Sequence, residues 1–135
     1  MEKLHDEAAA KEIALKAAKI LDSKKARDVK IMRVNEQTII ADYFVIAGGT
    51  SRTQVNSLAD EVEYKLGLEG INPSKIEGRG QGTWVLLDYD SVLIHVFNPQ
   101  SREFYNLEKL WAESTPVEFE STEDYIYLFI KVGFK

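Results

Sequence analysis

Asp88 and Asp90 stand on either side of Tyr89, and a D-x-D spacing on one face of a strand could hold a divalent metal for nucleotidyl transfer. Asp90, however, falls where two apolar runs must be joined by a turn. Aspartate is favoured there because it tolerates left-handed backbone and bonds its neighbours, so its carboxylate need not align with that of Asp88. His95 lies among Val92, Leu93, Ile94 and Val96 and could serve as a general base. With no obvious Ser or Cys beside it to activate, a hydrogen-bonded core histidine explains it better. Gly48-Gly49-Thr50-Ser51 precedes a helical stretch whose free N–H groups could hold a phosphate. It lacks the lysine of a phosphate-loop motif, and tight turns use the same glycines without any ligand. Gly78-Arg79-Gly80-Gln81-Gly82 carries G-x-G-x-G, but it leads into a strand and not a helix, so the dinucleotide reading lacks its context.

Composition removes more chemistry than it offers. With no cysteine there is no disulfide, thiolate metal site or cysteine nucleophile, and with two histidines, His5 and His95, there is no multi-histidine metal site. The residues call for no catalytic set, metal or cofactor. A net charge of -5 argues against a broad phosphate footprint, since each backbone contact usually takes a Lys or Arg. Lys24, Lys25, Arg27 and Lys30 do cluster, but most of them follow a helix whose dipole favours cations at that end. An acidic surface suits a basic partner, including proteins that themselves coat nucleic acid. No apolar run approaches a membrane span and no secretory leader is visible, so the expected compartment is the cytoplasm.

What remains is a recognition surface. Trp84, Tyr89, Arg102, Tyr105 and Glu108 form an aromatic and arginine set with acidic neighbours, the composition of protein-interface hot spots.

The elements that must position these residues follow from periodicity. Asp6 and Glu7 open a helix whose Ala10, Ile13, Ala17, Ile20 and Leu21 face a core, and Asp28 to Val34 and Asp42 to Ala47 read as a hairpin of strands. Ser51 and Gln54 have capping-box spacing, and Val55, Leu58, Ala59, Val62 and Leu66 mark one face of the helix they start. Strand, helix and the Trp84 strand form a crossover unit, predicted to be right-handed with its outer strands parallel. Ile71 to Glu77 is expected to add a short edge strand, and the glycine loop after it to be mobile. Val85 to Leu87 and Val92 to Phe97 form a second hairpin, and neither face of it is plainly polar. Helices are therefore expected on both faces of a mixed sheet. Ser101 is expected to cap a short helix with Phe104, Leu107, Leu110 and Trp111 inward and Arg102, Tyr105, Glu108 and Lys109 outward. Residues 1–113 read as one α/β domain, and 114–135 as an extension whose residues 124–132, DYIYLFIKV, have strand character and would join a sheet edge.

These residues also carry a resemblance. Ala41 to Ile46, Gly49-Thr50-Ser51 with Gln54, Leu58-Ala59-Asp60, Glu77-Gly78, Trp84 to Tyr89, His95-Val96-Phe97 and Arg102 to Trp111 resemble, in order and spacing, the RsfS/Iojap family of ribosomal silencing factors. The resemblance runs from about Leu15 to Trp111. It implies a nucleotidyltransferase-like α/β fold without the catalytic acids. It also implies binding to the fourteenth protein of the large ribosomal subunit, on the face that meets the small subunit, and repression of translation by obstruction with no reaction catalysed. Trp84, Asp88, Tyr89, Arg102, Tyr105 and Glu108 are then expected at the ribosomal contact, direct contact with ribosomal RNA is expected to be minor, and there is room for a homodimer. Asp90-Ser91 replaces the family's usual Gly-Asp, Gly48 stands where a small hydroxyl residue is common, and the tail from about Thr115 lies beyond the resemblance. The alternatives are a nucleotidyltransferase using Asp88 with the Gly49 turn, and an RNA binder using Lys24, Lys25, Arg27 and Lys30.

Overall fold

The computed structural model describes residues 6–120. Asp6 caps the first helix, its carboxylate accepting from the Ala9 N–H at 3.0 Å, and α1 spans Glu7–Ser23. The buried stripe is Ala10, Ala14, Ala17, Ala18 and Leu21, with Ile13 and Ile20 only half-buried, so the small residues set a close approach to the sheet. β1 (Arg27–Arg33) and β2 (Tyr43–Gly48) form the first hairpin, and α2 (Arg52–Gly67) buries the predicted face of Val55, Leu58, Ala59, Val62 and Leu66. β3 (Lys75–Glu77), β4 (Trp84–Asp88) and β5 (Val92–Phe97) follow as an antiparallel meander, with Asp90 at the predicted left-handed position in its last turn (φ 67°). α3 (Pro99–Tyr105), α4 (Leu107–Leu110) and β6 (Thr115–Val117) complete the described chain. The tail segment 124–132 lies outside the described residues.

The sheet runs β3-β4-β5-β2-β1-β6, which corrects the expected crossover. β4 does not lie parallel to β2. The chain leaves α2 to the far edge, returns through β4, and places β5 beside β2 as its parallel neighbour, Tyr43 opposite Val92 and Gly48 opposite Phe97. β5 suits a central place because, His95 apart, its side chains are apolar on both faces and nearly all buried. β6 pairs antiparallel with the outer side of β1 and closes that edge with Pro116, which cannot donate to a further strand.

Helices lie on both faces of the sheet, as expected, but unequally. Both long helices lie on one face, over Tyr43, Val45, Ala47, Val85, Leu87, Val92, Ile94 and Val96. The opposite face carries a smaller cluster of Met32, Val34, Phe44, Ile46 and Phe97 with Trp84, Leu93, Leu107 and Trp111 at its margin. α3 and α4 cover only part of it.

The glycine loop is tied to α2 at several points. Arg79 pairs with Asp60 and Glu63 on α2, the Gly80 N–H donates to Asn56, and a side chain at Gly82 would collide with the backbone of Arg52.

Candidate functional site

The register of three central strands lines up one row of rings on the open face. Trp84 sits opposite Phe97 and Leu86 opposite His95 across the β4–β5 pair, while Phe44 and Ile46 face Leu93 and His95 across β2–β5. Side chains two positions apart share a face, so Trp84, Leu86 and Asp88 join Leu93, His95, Phe97 and Phe44. Trp111 meets Phe44 edge-on at 5.1 Å between centroids, Phe44 meets His95 at 5.1 Å, and Trp84 stacks on Phe97 at 4.9 Å. Tyr105 closes on Trp84 at 4.6 Å, and Phe104 on Tyr105 at 5.0 Å. The rings are most buried at Phe44, His95 and Phe97. They emerge toward Trp84 and Tyr105, with Tyr105 49% and Phe104 79% exposed.

His95 holds this row from beneath. The Trp84 Nε1–H donates to His95 Nδ1 at 3.1 Å. Because an indole nitrogen can only donate, the imidazole must be neutral there with its proton on Nε2. Nε2 is buried without a hydrogen-bond partner among the described residues, an arrangement that costs about 1–3 kcal/mol. Burial pushes the His95 pKa down to about 4, so the acceptor state persists through neutral pH. The sequence expectation of a hydrogen-bonded core histidine is met.

Arg102 and Glu108 form a brace. β1 and β2 shift register between Arg27 and Lys30, where Asp28 adopts φ 45°. Such a bulge leaves carbonyls off the ladder, and Arg102 fills them: Nη1 donates to the Arg27 carbonyl at 3.1 Å and Nη2 to the Asp28 carbonyl at 2.7 Å. Its Nε and Nη2 also grip both oxygens of Glu108 at 3.1 Å. Burial alone would raise the Glu108 carboxyl, but its hydrogen bonds from Arg102 and Lys30 outweigh that and hold it below the usual range. Gly48 makes room, since a Cβ there would lie 3.3 Å from Arg102 Nη1.

The helix that carries Arg102 starts and breaks differently from expectation. Asn98, not Ser101, caps it: the Asn98 side chain accepts from the Ser101 N–H at 2.9 Å and Pro99 occupies the first turn. Asn106 in left-handed conformation then ends α3 and caps α4. The break turns Leu107 and Trp111 onto the sheet but leaves Phe104 and Leu110, predicted to be core, 79% and 71% exposed.

Of the six residues expected at the ribosomal contact, Trp84 and Tyr105 touch each other, and Arg102 and Glu108 are committed to the brace beside them. Asp88 shares the face of Trp84 but lies at the other end of β4, its carboxylate accepting from the Asp90 N–H at 2.8 Å. Tyr89 follows Asp88 but turns to the opposite side of the sheet. It is 6% exposed within the helix-covered core, where burial pushes its hydroxyl up to about 12. The sequence missed Leu86 and Leu93, half-buried on the open face, and the tie from Trp84 to His95. Only the strand register could have revealed that tie.

The enzymatic alternatives come apart here. Asp88 pairs with Leu93 at one end of the sheet and Gly48 with Phe97 at the other, a separation on the order of 13 Å along β5, so Asp88 and the Gly49 turn cannot share a substrate phosphate. Three donors of the turn are engaged within the fold: Gly49 N–H to the Phe97 carbonyl, Thr50 N–H to Gln54 Oε1, and Gln54 N–H to Ser51 Oγ. The capping box is thus offset by one residue, Gln54 reaching Thr50 and not Ser51. Gly49 is demanded by packing, because a Cβ would sit 2.9 Å from Val55 Cγ2. Among the described residues no group of three or more His, Asp or Glu side chains is placed to share a metal, and no helix is long and apolar enough to cross a membrane. In the basic cluster Lys24 and Lys30 are paired with Glu61 and Glu108.

Comparison with known proteins identifies the family and the fold. Residues 7–126 match the family model described as "Ribosomal silencing factor during starvation". The chain is 39% identical over 104 residues to a "Ribosomal silencing factor RsfS" of Halalkalibacterium halodurans, covering 77% of this chain and 89% of that protein. It is 39% identical over 98 residues to the one of Bacillus subtilis, covering 73% and 83%. Its fold matches a crystal structure of a Chromobacterium violaceum protein with a TM-score of 0.71 at 28% identity, covering 90% of this chain and 99% of the other.

Proposed function

The chain belongs to the RsfS family of ribosomal silencing factors, and from that premise we propose that it docks on the ribosome through the open, aromatic face of its sheet. As a ribosomal silencing factor it binds the large subunit and represses translation by blocking association of the two subunits, and it does so without catalysis. The observation that carries the docking proposal is the contact of Trp84 with Tyr105, ring centroids 4.6 Å apart and planes tilted by 45°, continued outward by exposed Phe104. Large rings that are fixed from below and open above bury area at little entropic cost, which is why they dominate interface energetics. Asp88 at the far end of β4 supplies charge on the same face. Arg102 and Glu108 set the position of Tyr105 through the brace, and Tyr89 supports the Asp88 turn from the covered side.

The direct partner in this reading is the fourteenth protein of the large subunit, a basic protein embedded in RNA, which complements a chain of net charge -5 in the cytoplasm. Contact with ribosomal RNA is minor, because Lys24 and Lys30 are engaged within the fold. Homodimerisation, if the tail supports it, would appear as a loss of mass in light scattering when the chain is ended at Thr115.

The test is reassociation of purified ribosomal subunits followed by light scattering, with wild type and Trp84→Ala. Wild type should suppress the signal and Trp84→Ala should restore it. Equal suppression by both would remove the open face from the contact.

A further inference from the structure

We propose that His95 is a positioning residue for ribosome docking: its Nδ1 fixes the Trp84 indole in the orientation the large subunit meets. The proposal rests on the docking face above. Trp84 lies directly opposite Phe97 and diagonally opposite His95, within the reach that diagonal neighbours have across an antiparallel pair. Stacking on Phe97 sets the plane of the indole but leaves it free to turn over within that plane. The bond from Nε1 to His95 Nδ1 removes that freedom and decides which edge of the ring faces outward.

The surroundings of His95 serve this one bond. The imidazole lies parallel to Phe97 with an interplanar angle of 7°, takes the edge of Phe44 at 67°, and is 5% exposed. Its other nitrogen is buried and unpartnered among the described residues. A side chain present only to fill space at this position would be apolar, as Ile94 and Val96 are on the other face, and would leave no buried donor unmet. Trp84 itself is half-buried at the margin of the open face, so a turned indole can present its N–H to water once His95 is replaced. Loss of the acceptor therefore frees the ring without unfolding the sheet.

The experiment compares His95→Phe and His95→Leu, which keep an apolar filling, with His95→Asn, whose Oδ1 can stand where Nδ1 stands. Three quantities are read: melting temperature, the indole N–H resonances in a proton–nitrogen spectrum, and affinity for purified large subunits. His95→Phe or His95→Leu should melt at or above wild type, lose the hydrogen-bonded Trp84 indole signal, and bind roughly 10-fold more weakly. His95→Asn should recover both signal and affinity in part. Wild-type affinity in both apolar variants, alongside a defective Trp84→Ala, would overturn the positioning role while leaving the docking face intact. Weakened binding with an unchanged indole signal would overturn it too. Wild-type affinity in Trp84→Ala would overturn the docking face itself, and this role with it.

Discussion

Ile94 and His95 are neighbours in β5, yet they enter two different interiors. Ile94 points into a layer of Val45, Val85, Leu87 and Val96 sealed by the alanine face of α1 and the Val55–Leu66 face of α2. His95 points into a layer of rings that no long helix covers. The covered face is mainly aliphatic and alanine-rich, with Tyr43 and Tyr89 as its rings, and is held by close packing. The open face is aromatic, held by ring contacts, one nitrogen-to-nitrogen hydrogen bond and an arginine brace, and it grades from buried to exposed along its length. On the docking proposed above, stability and binding fall to opposite sides of one sheet: the first to side chains that fill space, the second to side chains with an apolar body that a partner can cover.

If that division is right, Ile94→Ala should give the largest effect, a loss of about 2–5 kcal/mol in stability by denaturant titration. Binding per folded molecule should be unchanged. Acidification should act on the other interior. His95 titrates near 4 in the fold against 6.5 unfolded, so between those values the unfolded chain takes up a proton that the folded one refuses. Stability is full above pH 6.5 and declines as pH falls. The loss reaches roughly 3 kcal/mol at pH 4, from about 1.4 kcal/mol per unit. Urea midpoints measured across this range should flatten in His95→Leu, and an unchanged slope would move the proton uptake elsewhere.

Tyr105→Ala should reverse the pattern of Ile94→Ala. Affinity for large subunits falls by about 2 kcal/mol while the melting curve stays in place. Arg102→Met cuts the brace and should cost about 1.5–3 kcal/mol, the range for hydrogen bonds to charged groups. Its mark is regional: amide exchange should quicken in α3 and α4 and not in α1 or α2. Phe104→Ser is the smallest, within about 0.5 kcal/mol in stability because the ring is already exposed. A larger loss would mean that Phe104 belongs to the fold more than its exposure implies.

The sequence by itself determined the elements and much of the family. Asp6, Ser51 and the Val55–Leu66 spacing locate two helices, and the Asp88–Ser91 turn locates a hairpin, because caps, turns and periodicity are local properties of the chain. It also supplied the aromatic and arginine set from which the contact was read. Only the tertiary structure decided which side of the sheet each residue serves. Tyr89 and Trp84 look alike in sequence and lie on opposite faces, and Phe104 and Leu110 keep helical spacing but turn outward where Asn106 breaks the helix. The placement of β5 between β4 and β2 set the crossover, the distance from Asp88 to Gly49, and the meeting of Trp84 with His95. Strand order arises from which apolar faces find one another across long loops, and no local spacing encodes that choice.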